Sequence, residues 1–289
     1  MVHSSPPAVK MAGKIVVLFD FDRTLIDGDS DGWVVAEMGL TPLFNRLCSS
    51  LPWNSLMDRM MEELYSQGKT AEDITECLKR VPVNPRIIAA IKSANTLGCD
   101  LKIVSDANQF FIETIMENHG LLGCFSEIIT NPSFIDQVGR LRIFPYHKSS
   151  SSPHNCQMCP SNLCKGLVLE HIRASNPECG RQRFIYLGDG KNDFCPSSKL
   201  GDGDCVMPRK NYPLWNHVCS NPTLIKAEVL EWSKGGDLER ILLQLINTIS
   251  NEGKIVVSNS ILSNPSDSKS QTIPASAHEL CPHTHPVQN

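Results

Sequence analysis

Residues 15–24 read IVVLFDFDRT, a short apolar run that leads directly into two carboxylates. The five residues from Ile15 to Phe19 predict a buried β-strand, because an apolar run of this length rich in β-branched residues is typical of a strand inside a sheet. Asp20 and Asp22 follow at its end. Neighbouring negative charges repel each other, so this pair indicates a bound cation or a reaction that uses the charge.

The composition of the chain is that of an ordinary globular protein. Its 289 residues are 41% apolar and 20% charged, which suits one large domain or a core with an inserted module. The formal net charge of -4 and the lack of a basic block argue against a nucleic-acid partner. No apolar stretch approaches the roughly 18 residues of a membrane span, and the N-terminus lacks the apolar core of a signal peptide. We therefore expect a soluble cytoplasmic protein without a membrane partner.

Short apolar runs that alternate with helical patterns predict an α/β fold with a parallel sheet. The interval 41–94 holds helical patterns and no strand pattern, which indicates an inserted helical module. Residues 1–12 and 251–289 are rich in Ser, Pro and Asn with little apolar periodicity, so we interpret them as a disordered leader and a disordered tail. The strand candidates lie at residues 15–19, 101–104, 128–130, 184–187 and 205–207.

A Met-rich stripe lies within the helical module. The stretch SLMDRMMEELYSQG repeats apolar residues at helical spacing, with Gly68 as the expected terminator and Thr70 as the next N-cap. Such a stripe could be a cofactor or partner surface, but we interpret it as buried packing.

Polar side chains also follow two later strands of the predicted sheet. The stretch IVSDAN supplies Ser105 and Asp106, and IYLGDGKND supplies Asp189 and Asp193. Ligands of an open parallel sheet bind beyond the carboxyl ends of its strands. We therefore expect these side chains to meet the acidic pair of the first strand at one rim.

Clustered oxygen donors at this rim suit Mg²⁺, which takes one or two carboxylates together with waters and substrate phosphate. With the metal held by Asp20 and Asp189, Asp20 can attack a phosphorus atom and form an aspartyl phosphate. Asp22 is placed to protonate the departing group and later to activate water. Ser105 and Lys165, which opens the helical pattern KGLVLEHIR, are candidates for contact with the phosphoryl oxygens.

The ordered motifs Asp-x-Asp-x-Thr, Ser-Asp, Lys and Gly-Asp-Gly-x-x-Asp resemble those of the haloacid dehalogenase superfamily of phosphohydrolases. The resemblance implies a Rossmann-like core at residues 13–27 and 95–250, and a helical cap at residues 28–94. It also implies that Asp20 is the nucleophile, that Asp22 is the acid/base, and that Ser105 and Lys165 contact the phosphoryl group. Mg²⁺ would be bound by Asp20, the Asp22 backbone carbonyl and Asp189. Asp193 would hold a metal-bound water or Lys165.

A closer likeness involves the stretches FDFDRTLIDGDSD, VSDAN, CPSNLCKG and YLGDGKNDFCP. They are similar to the phosphoethanolamine/phosphocholine phosphatase family, and most to its plant branch of inorganic pyrophosphatases and thiamine phosphate phosphatase-like proteins. This likeness implies that Asp31 and Asp106 shape the substrate pocket. These acids would attract a cationic leaving group, as in phosphocholine, phosphoethanolamine or thiamine monophosphate. They would repel pyrophosphate unless a second Mg²⁺, or Arg209 with Lys210, masks its charge. Because the plant branch includes pyrophosphatases, pyrophosphate and cationic phosphomonoesters both stay open as substrates.

Two other functions remain open beside a Mg²⁺-dependent phosphatase that acts on a small phosphate. One is a phosphotransferase that passes the phosphoryl group to an acceptor other than water. The other is a non-catalytic module in which phosphorylated Asp20 signals to a partner. Asp22 argues against the latter, because a general acid/base so close to the acyl phosphate hastens its hydrolysis.

The stretch HNCQMCPSNLC directly precedes Lys165 and suggests a metal site. Its side chains could hold a structural Zn²⁺ that pins the lysine, or they could be reduced structural thiols. The chain has twelve cysteines and no export signal, which favours thiols or metal over disulfides. The candidate zinc ligands are His154, Cys156, Cys159 and Cys164.

Overall fold

The computed structural model describes residues 14–147, 154–175 and 182–262, with side chains of the last helix up to residue 252. The predicted leader at 1–12 and most of the predicted tail lie outside these residues. The strands of the described part are β1 (Ile15–Phe19), β2 (Asp100–Asn108), β3 (Glu127–Asn131), β4 (Ser133–Ile135), β5 (Leu141–Ile143), β6 (Arg183–Gly188), β7 (Cys205–Pro208) and β8 (Glu228–Val229).

The α-helices of the same residues flank the sheet or form the insert after β1. They are α1 (Ser30–Glu37), α2 (Thr41–Leu47), α3 (Trp53–Ser66), α4 (Ala71–Leu78), α5 (Pro85–Thr96), α6 (Gln109–Asn118), α7 (Lys165–Ala174), α8 (Phe194–Ser198), α9 (Pro213–Ser220) and α10 (Gly235–Leu262).

Six of the strands form one parallel sheet in the order β3-β2-β1-β6-β7-β8. The chain leaves β1 towards β2 and β3 on one side and returns on the other side to β6. The carboxyl ends of β1 and β6 therefore flank a topological switch point, which is where open α/β sheets bind ligands. This sheet and its flanking helices confirm the predicted α/β class with a parallel sheet.

Strand β1 has packed layers on both of its faces, because successive side chains of a strand point in opposite directions. Ile15, Val17 and Phe19 face a cluster that includes residues of α5, α6 and α10. Val16 and Leu18 face a second cluster, built with residues of α7 and α9. Burial on both faces explains why β1 reads as an uninterrupted apolar run.

All five predicted strands of the parallel sheet are present, but β8 and the antiparallel hairpin β4-β5 were not predicted. Each of the missed strands has only two or three residues, too few to produce a clear alternation. The hairpin contacts the helical insert: Arg142 of β5 makes two hydrogen bonds, of 2.9 and 3.0 Å, to the Asp58 carboxylate of α3. It therefore connects the insert with the chain that follows β3.

The Met-rich stripe of α3 is buried packing, as predicted. Gly68 follows the helix with a φ of 77°, and Thr70 caps α4 through a reciprocal capping box with Asp73. Tyr65 differs from the prediction, since 43% of it is exposed. The buried members are Leu56, Met57, Met60, Met61 and Leu64.

Two of the predicted boundaries fall inside helices. Residue 94 lies in α5, which packs against α10, and Arg86 Nη1 lies 3.3 Å from Glu239 Oε2 across this contact. Helix α5 is thus part of the layer on the sheet, while the division into core and cap stays a prediction. Residues 251–262 continue α10, unlike the predicted disordered tail, because extending a formed helix is far easier than nucleating one.

Candidate active site

A pocket of about 250 Å³ opens at the carboxyl ends of β1, β2 and β6. Six of the described residues that line it are aspartates, and a single one, Arg23, carries a cationic side chain. This surplus of carboxylates makes the pocket a site for cations. The lining residues are Asp20, Asp22, Arg23, Asp29, Asp31, Trp53, Asp106, Ala107, Asp189, Gly190 and Asn192.

Asp20 continues β1 into the pocket. Its backbone N–H donates a 2.9 Å hydrogen bond to the carbonyl of Leu187, so the pairing of β1 with β6 extends past the end of the strand. Its carboxylate is buried and receives Lys165 Nζ at 2.5 Å. The aspartate therefore has a fixed position between two strands and a permanent cationic partner.

Lys165 is the first residue of α7 and is 1% exposed. Its ammonium group also lies 2.8 Å from Asp193 Oδ1. Burial alone would lower the pKa of Lys165, but the carboxylates of Asp193 and Asp20 raise it well above its ordinary value. Lys165 therefore remains charged inside the protein.

Asp193 is fully buried, and both of its oxygens accept hydrogen bonds. Besides Lys165, Oδ1 accepts from the Tyr186 hydroxyl at 2.7 Å. Oδ2 accepts from the backbone N–H groups of Asp189 at 3.1 Å and Gly190 at 2.8 Å. The carboxylate thus accepts four hydrogen bonds from the protein itself. These contacts fix its position, and it in turn holds Lys165 in place.

Gly188 allows Asp193 to approach the end of β6. A Cβ atom at this position would lie 2.6 Å from the Asp193 carboxyl group, closer than real Cβ contacts come. Any side chain here would therefore displace Asp193. This close approach explains the glycine that precedes Asp189 in the sequence.

Asp20 and Asp189 have raised pKa values. Burial, followed by the charge of Asp193, raises the pKa of Asp20 well above its usual range, although Lys165 acts in the opposite direction. The same two causes raise the pKa of Asp189 to about 6. A divalent cation between the two carboxylates would favour their ionised forms.

The donor set at this point fits Mg²⁺. Carboxylate oxygens of Asp20, Asp189 and Asp193 lie within 4.8 Å of one another. Because Asp193 already accepts four hydrogen bonds, Asp20 and Asp189 are the two carboxylates left to coordinate a metal. Two carboxylates beside an open pocket match the preference of Mg²⁺ for a few protein oxygens together with water and phosphate.

Asp22 lies in the loop between β1 and α1. Its Oδ1 accepts a 2.8 Å hydrogen bond from the backbone N–H of Ser30, which joins this loop to the start of α1. Burial and the charges of Asp29 and Asp31 raise its pKa well above the usual range. A carboxyl group of this kind can hold a proton near neutral pH and deliver it.

Asp31 is a buried acid in the first turn of α1, and it also lines the pocket. Its Oδ2 accepts a 2.7 Å hydrogen bond from Trp53 Nε1 of α3. Its Oδ1 is buried and has no hydrogen-bond partner among the described residues. Burial, and secondarily the charge of Asp29, raise the pKa of Asp31 to about 7.

Asp106 and Ser105 lie where the pairing of β2 with β3 shifts register, between Val104 and Asn108. Asp106 lines the pocket, and its Oδ2 accepts a 2.9 Å hydrogen bond from Asn192 Nδ2. Ser105 is fully buried, and its hydroxyl accepts from the backbone N–H of Ala107 at 3.2 Å. Ser105 is not among the residues that line the pocket.

Six of the lining residues were not predicted as site residues: Arg23, Asp29, Trp53, Ala107, Gly190 and Asn192. Arg23 stands inside the opening motif, has a φ of 58°, and forms a 2.9 Å ion pair with Asp29. Because Arg23 directly follows Asp22 in the sequence, it could have been predicted to lie at the same rim. Trp53 gave no local signal, because the fold of the insert brings it to Asp31.

Arg209 and Lys210 do not contact the pocket, contrary to the suggestion that they meet a second substrate phosphate. Arg209 donates to the Arg23 carbonyl and to Asp27 Oδ1, the latter at 2.7 Å. Its guanidinium also stacks on the rings of Tyr212 and Trp232. Lys210 pairs with Glu231 at 2.6 Å. Arg209 therefore stabilises the loop after β1 without lining the pocket.

The cysteine-rich loop before α7 forms a different cluster from the predicted one. Four sulfur atoms lie within 4.8 Å of one another, and His154 is not among the ligand atoms of this group. His154 Nδ1 accepts from the backbone N–H of Cys156 at 3.1 Å, and Nε2 lies 3.0 Å from the Pro160 carbonyl oxygen. The members of this thiol cluster are Cys156, Cys159, Cys164 and Cys195.

Among the described helices, none combines the length and the apolar character needed to cross a membrane.

Comparisons with known proteins show the family of the chain. A family model described as "Putative Phosphatase" matches residues 15–246. The chain is 64% identical over 241 residues to a thiamine phosphate phosphatase-like protein of Arabidopsis thaliana, covering 83% of this chain and 98% of that protein. It is 54% identical over 243 residues to inorganic pyrophosphatase 2 of the same plant, covering 83% and 87% of the two chains.

The fold is also that of a solved structure described as a phospho-aspartyl intermediate analogue of phosphoserine phosphatase. The TM-score is 0.52 at 20% sequence identity, and the match covers 81% of this chain and 99% of that one. This structural likeness shows the haloacid dehalogenase-type fold, and the family model and the plant relatives confirm the resemblance found in the motifs. The chain belongs to the phosphatase family that this model describes and is a hydrolase, and its fold is of the haloacid dehalogenase type.

Proposed function

We propose that the protein is a Mg²⁺-dependent phosphatase that hydrolyses a small phosphate compound through a phosphorylated Asp20. One observation carries the proposal: the Asp20 carboxylate lies in the pocket with Asp189 and is bound by the buried Lys165 at 2.5 Å. This arrangement supplies a fixed nucleophile, a metal ligand and a permanent cation at one point.

The reaction has two steps. In the first, a carboxylate oxygen of Asp20 attacks the phosphorus, a bond forms between them, and the bond from phosphorus to the leaving oxygen breaks. Asp22 gives its proton to that oxygen, consistent with its raised pKa. In the second step, Asp22 takes a proton from a water molecule that attacks the phosphorus, which releases phosphate and restores Asp20.

Charge balance is the main contribution of the other residues. Lys165 offsets negative charge on Asp20 and on the transferring group, and Asp193 keeps the ammonium group in position. A bound Mg²⁺, held by Asp20 and Asp189, would offset the remaining charge of the phosphoryl oxygens. The Asp22 backbone carbonyl as a third metal ligand and Ser105 as a phosphoryl contact stay predictions from the family resemblance.

The favoured substrate class is a phosphomonoester with a cationic leaving group, such as thiamine monophosphate, phosphocholine or phosphoethanolamine. Asp31 lines the pocket together with Trp53, whose indole N–H donates to its Oδ2. A carboxylate next to an aromatic ring suits an organic cation, through ion pairing and cation–π attraction. Asp106 adds a further carboxylate to the lining of the pocket.

Pyrophosphate is the second candidate, because Arg23 lines the pocket. Its side chain is 47% exposed and could meet a second phosphate group after leaving Asp29. The relative named inorganic pyrophosphatase 2 adds weight to this alternative. The carboxylates of Asp31 and Asp106 argue against it, because they repel an anion. Arg209 and Lys210 pair with Asp27 and Glu231 outside the pocket and do not offset this charge.

A substrate panel tests the proposal. Phosphate release is measured in Mg²⁺ buffer from thiamine monophosphate, phosphocholine, phosphoethanolamine and pyrophosphate, with Asp20→Asn as the inactive control. We expect turnover of at least one cationic monoester, with the highest kcat/KM in that class. Turnover of pyrophosphate alone supports the second candidate. Loss of the substrate without phosphate release, seen only when an alcohol acceptor is added, supports a phosphotransferase. The absence of both release and transfer with every substrate overturns the proposal.

A further inference from the structure

The thiol cluster joins two separate parts of the chain. Three of its cysteines lie in the loop that ends at the start of α7, and the fourth, Cys195, lies in α8. Cys156 Sγ is 3.6 Å from Cys195 Sγ, and Cys164 Sγ is 4.0 Å from it. All four cysteines are free thiols. The cluster therefore depends on the tertiary fold and not on sequence spacing alone.

These sulfur separations match a tetrahedral metal site. With Zn–S bonds of about 2.3 Å, the sulfurs of a tetrahedral ZnS₄ unit lie about 3.8 Å apart. The measured 3.6 and 4.0 Å lie on either side of that value. A disulfide would need about 2.05 Å between its two sulfurs.

We propose that the thiol cluster binds one structural Zn²⁺ through four cysteine thiolates. Soft thiolate ligands in a tetrahedral set select zinc over Mg²⁺, which prefers oxygen. Four protein ligands leave no open position for water, so the ion has a structural and not a catalytic task. His154 shapes the loop through its contacts with Cys156 and Pro160 and is not a ligand.

The surroundings suit such an anionic unit. Gly166 leaves the space that Cys195 occupies, since a Cβ atom there would lie 2.5 Å from Cys195 Sγ and 2.9 Å from Lys199 Cε. The Lys199 side chain thus runs beside the cluster and brings a positive charge to it. Its ammonium group pairs with Glu170 at 2.6 Å.

The zinc site would hold both ends of the buried ion pair. Cys164 is the residue before Lys165, and Cys195 comes two residues after Asp193. Fixing these cysteines to one ion fixes the backbone on both sides of the 2.8 Å contact between Lys165 and Asp193. This task does not depend on which phosphate the enzyme hydrolyses.

Metal content tests the site without reference to activity. The full chain is produced in zinc-supplemented medium, dialysed without chelator, and analysed by elemental mass spectrometry. We expect about one zinc per chain, and a loss of most of it in Cys195→Ser and Cys159→Ser. His154→Ala and Cys219→Ser, an exposed cysteine outside the cluster, are the matched controls and should keep the metal.

Cobalt replacement supplies a second measurement that needs no variant. Co²⁺ in a tetrathiolate site produces intense thiolate charge-transfer and visible absorption, which Zn²⁺ should abolish at equal stoichiometry. Wild-type protein with negligible zinc and no such absorption would overturn the proposal. Loss of zinc from His154→Ala together with its retention in Cys195→Ser would also overturn the proposal. That result would support the ligand set predicted from the sequence, which contains His154 in place of Cys195.

Discussion

Lys165 Nζ lies 2.8 Å from Asp193 Oδ1, although one residue opens helix α7 and the other follows strand β6. Both side chains are buried, and neither can reach water to replace the other. Asp20 is a second carboxylate on this ammonium group, so loss of the Asp193 charge leaves Lys165 with one charged partner. The pair therefore links the stability of the fold to the position of Lys165 beside Asp20.

Asp193→Asn should lower the free energy of unfolding by about 3 kcal/mol, because Lys165 loses a charged partner. Tyr186→Phe removes one neutral donor from the same carboxylate and should lower it by about 1 kcal/mol. Urea unfolding followed by circular dichroism measures both values. Equal losses in the two variants would show that charge compensation is not what holds Lys165.

Asp20→Asn should abolish turnover, because an amide is a poor nucleophile and a weaker metal ligand. Asp22→Asn should fail in a different way, since it keeps the nucleophile and loses the proton donor and base. With p-nitrophenyl phosphate, a substrate with a good leaving group, the second variant should accumulate phosphorylated protein. Intact-protein mass spectrometry after acid quench detects that adduct. Near-normal turnover of both variants contradicts the assignment.

Asp31→Asn and Asp106→Asn should each lower kcat/KM for cationic monoesters by roughly tenfold or more, because a paired charge is lost at the leaving group. Hydrolysis of pyrophosphate should be unchanged or improved. Steady-state kinetics on both substrate types measure the difference. Equal losses of kcat/KM on both substrate types would indicate that these acids organise the site and do not select for a cationic leaving group.

The pH dependence of cationic-ester hydrolysis should follow Asp31, whose pKa is raised to about 7. The ionised form binds the cation, so kcat/KM should rise as the pH increases through about 7. Asp31→Asn should remove this rise, while the pyrophosphate profile serves as the control. A profile that is the same in the variant and the wild type would assign the ionisation to another group.

The same raised pKa has an opposite effect on stability. A carboxyl that binds its proton more tightly when folded contributes stability at low pH, and this contribution is lost as the pH rises from about 4 to about 7. In protein without divalent metal, Asp31→Asn should therefore be more stable than wild type at pH 8, by up to a few kcal/mol, and similar to it at pH 4. Thermal unfolding at the two pH values measures the difference.

Removal of Mg²⁺ should abolish activity, and the addition of Mg²⁺ alone should restore it. Mg²⁺ should also raise the melting temperature of the wild type, because it binds the folded state, and should raise it much less in Asp189→Asn. Differential scanning fluorimetry over a Mg²⁺ titration separates binding from catalysis. An equal shift in the variant would remove Asp189 from the metal site.

Much of the fold and the acidic centre could be predicted from the sequence, because local patterns encode them. An apolar run in a parallel sheet predicts a strand, and the carboxyl ends of such strands meet at one edge. This reasoning placed Asp20, Asp22, Asp106 and Asp189 together, and the structure has all four in one pocket. The sequence alone thus determined the α/β class and where its chemistry lies.

Only the tertiary structure decided which distant side chains complete the site. Trp53, the first residue of α3, donates to Asp31 of α1, Cys195 replaces His154 in the thiol cluster, and Arg209 pairs with Asp27 outside the pocket lining. None of these partners is set by a repeating pattern. Each depends on how separate elements pack and on the direction in which a side chain then points, and those are properties of the folded chain as a whole.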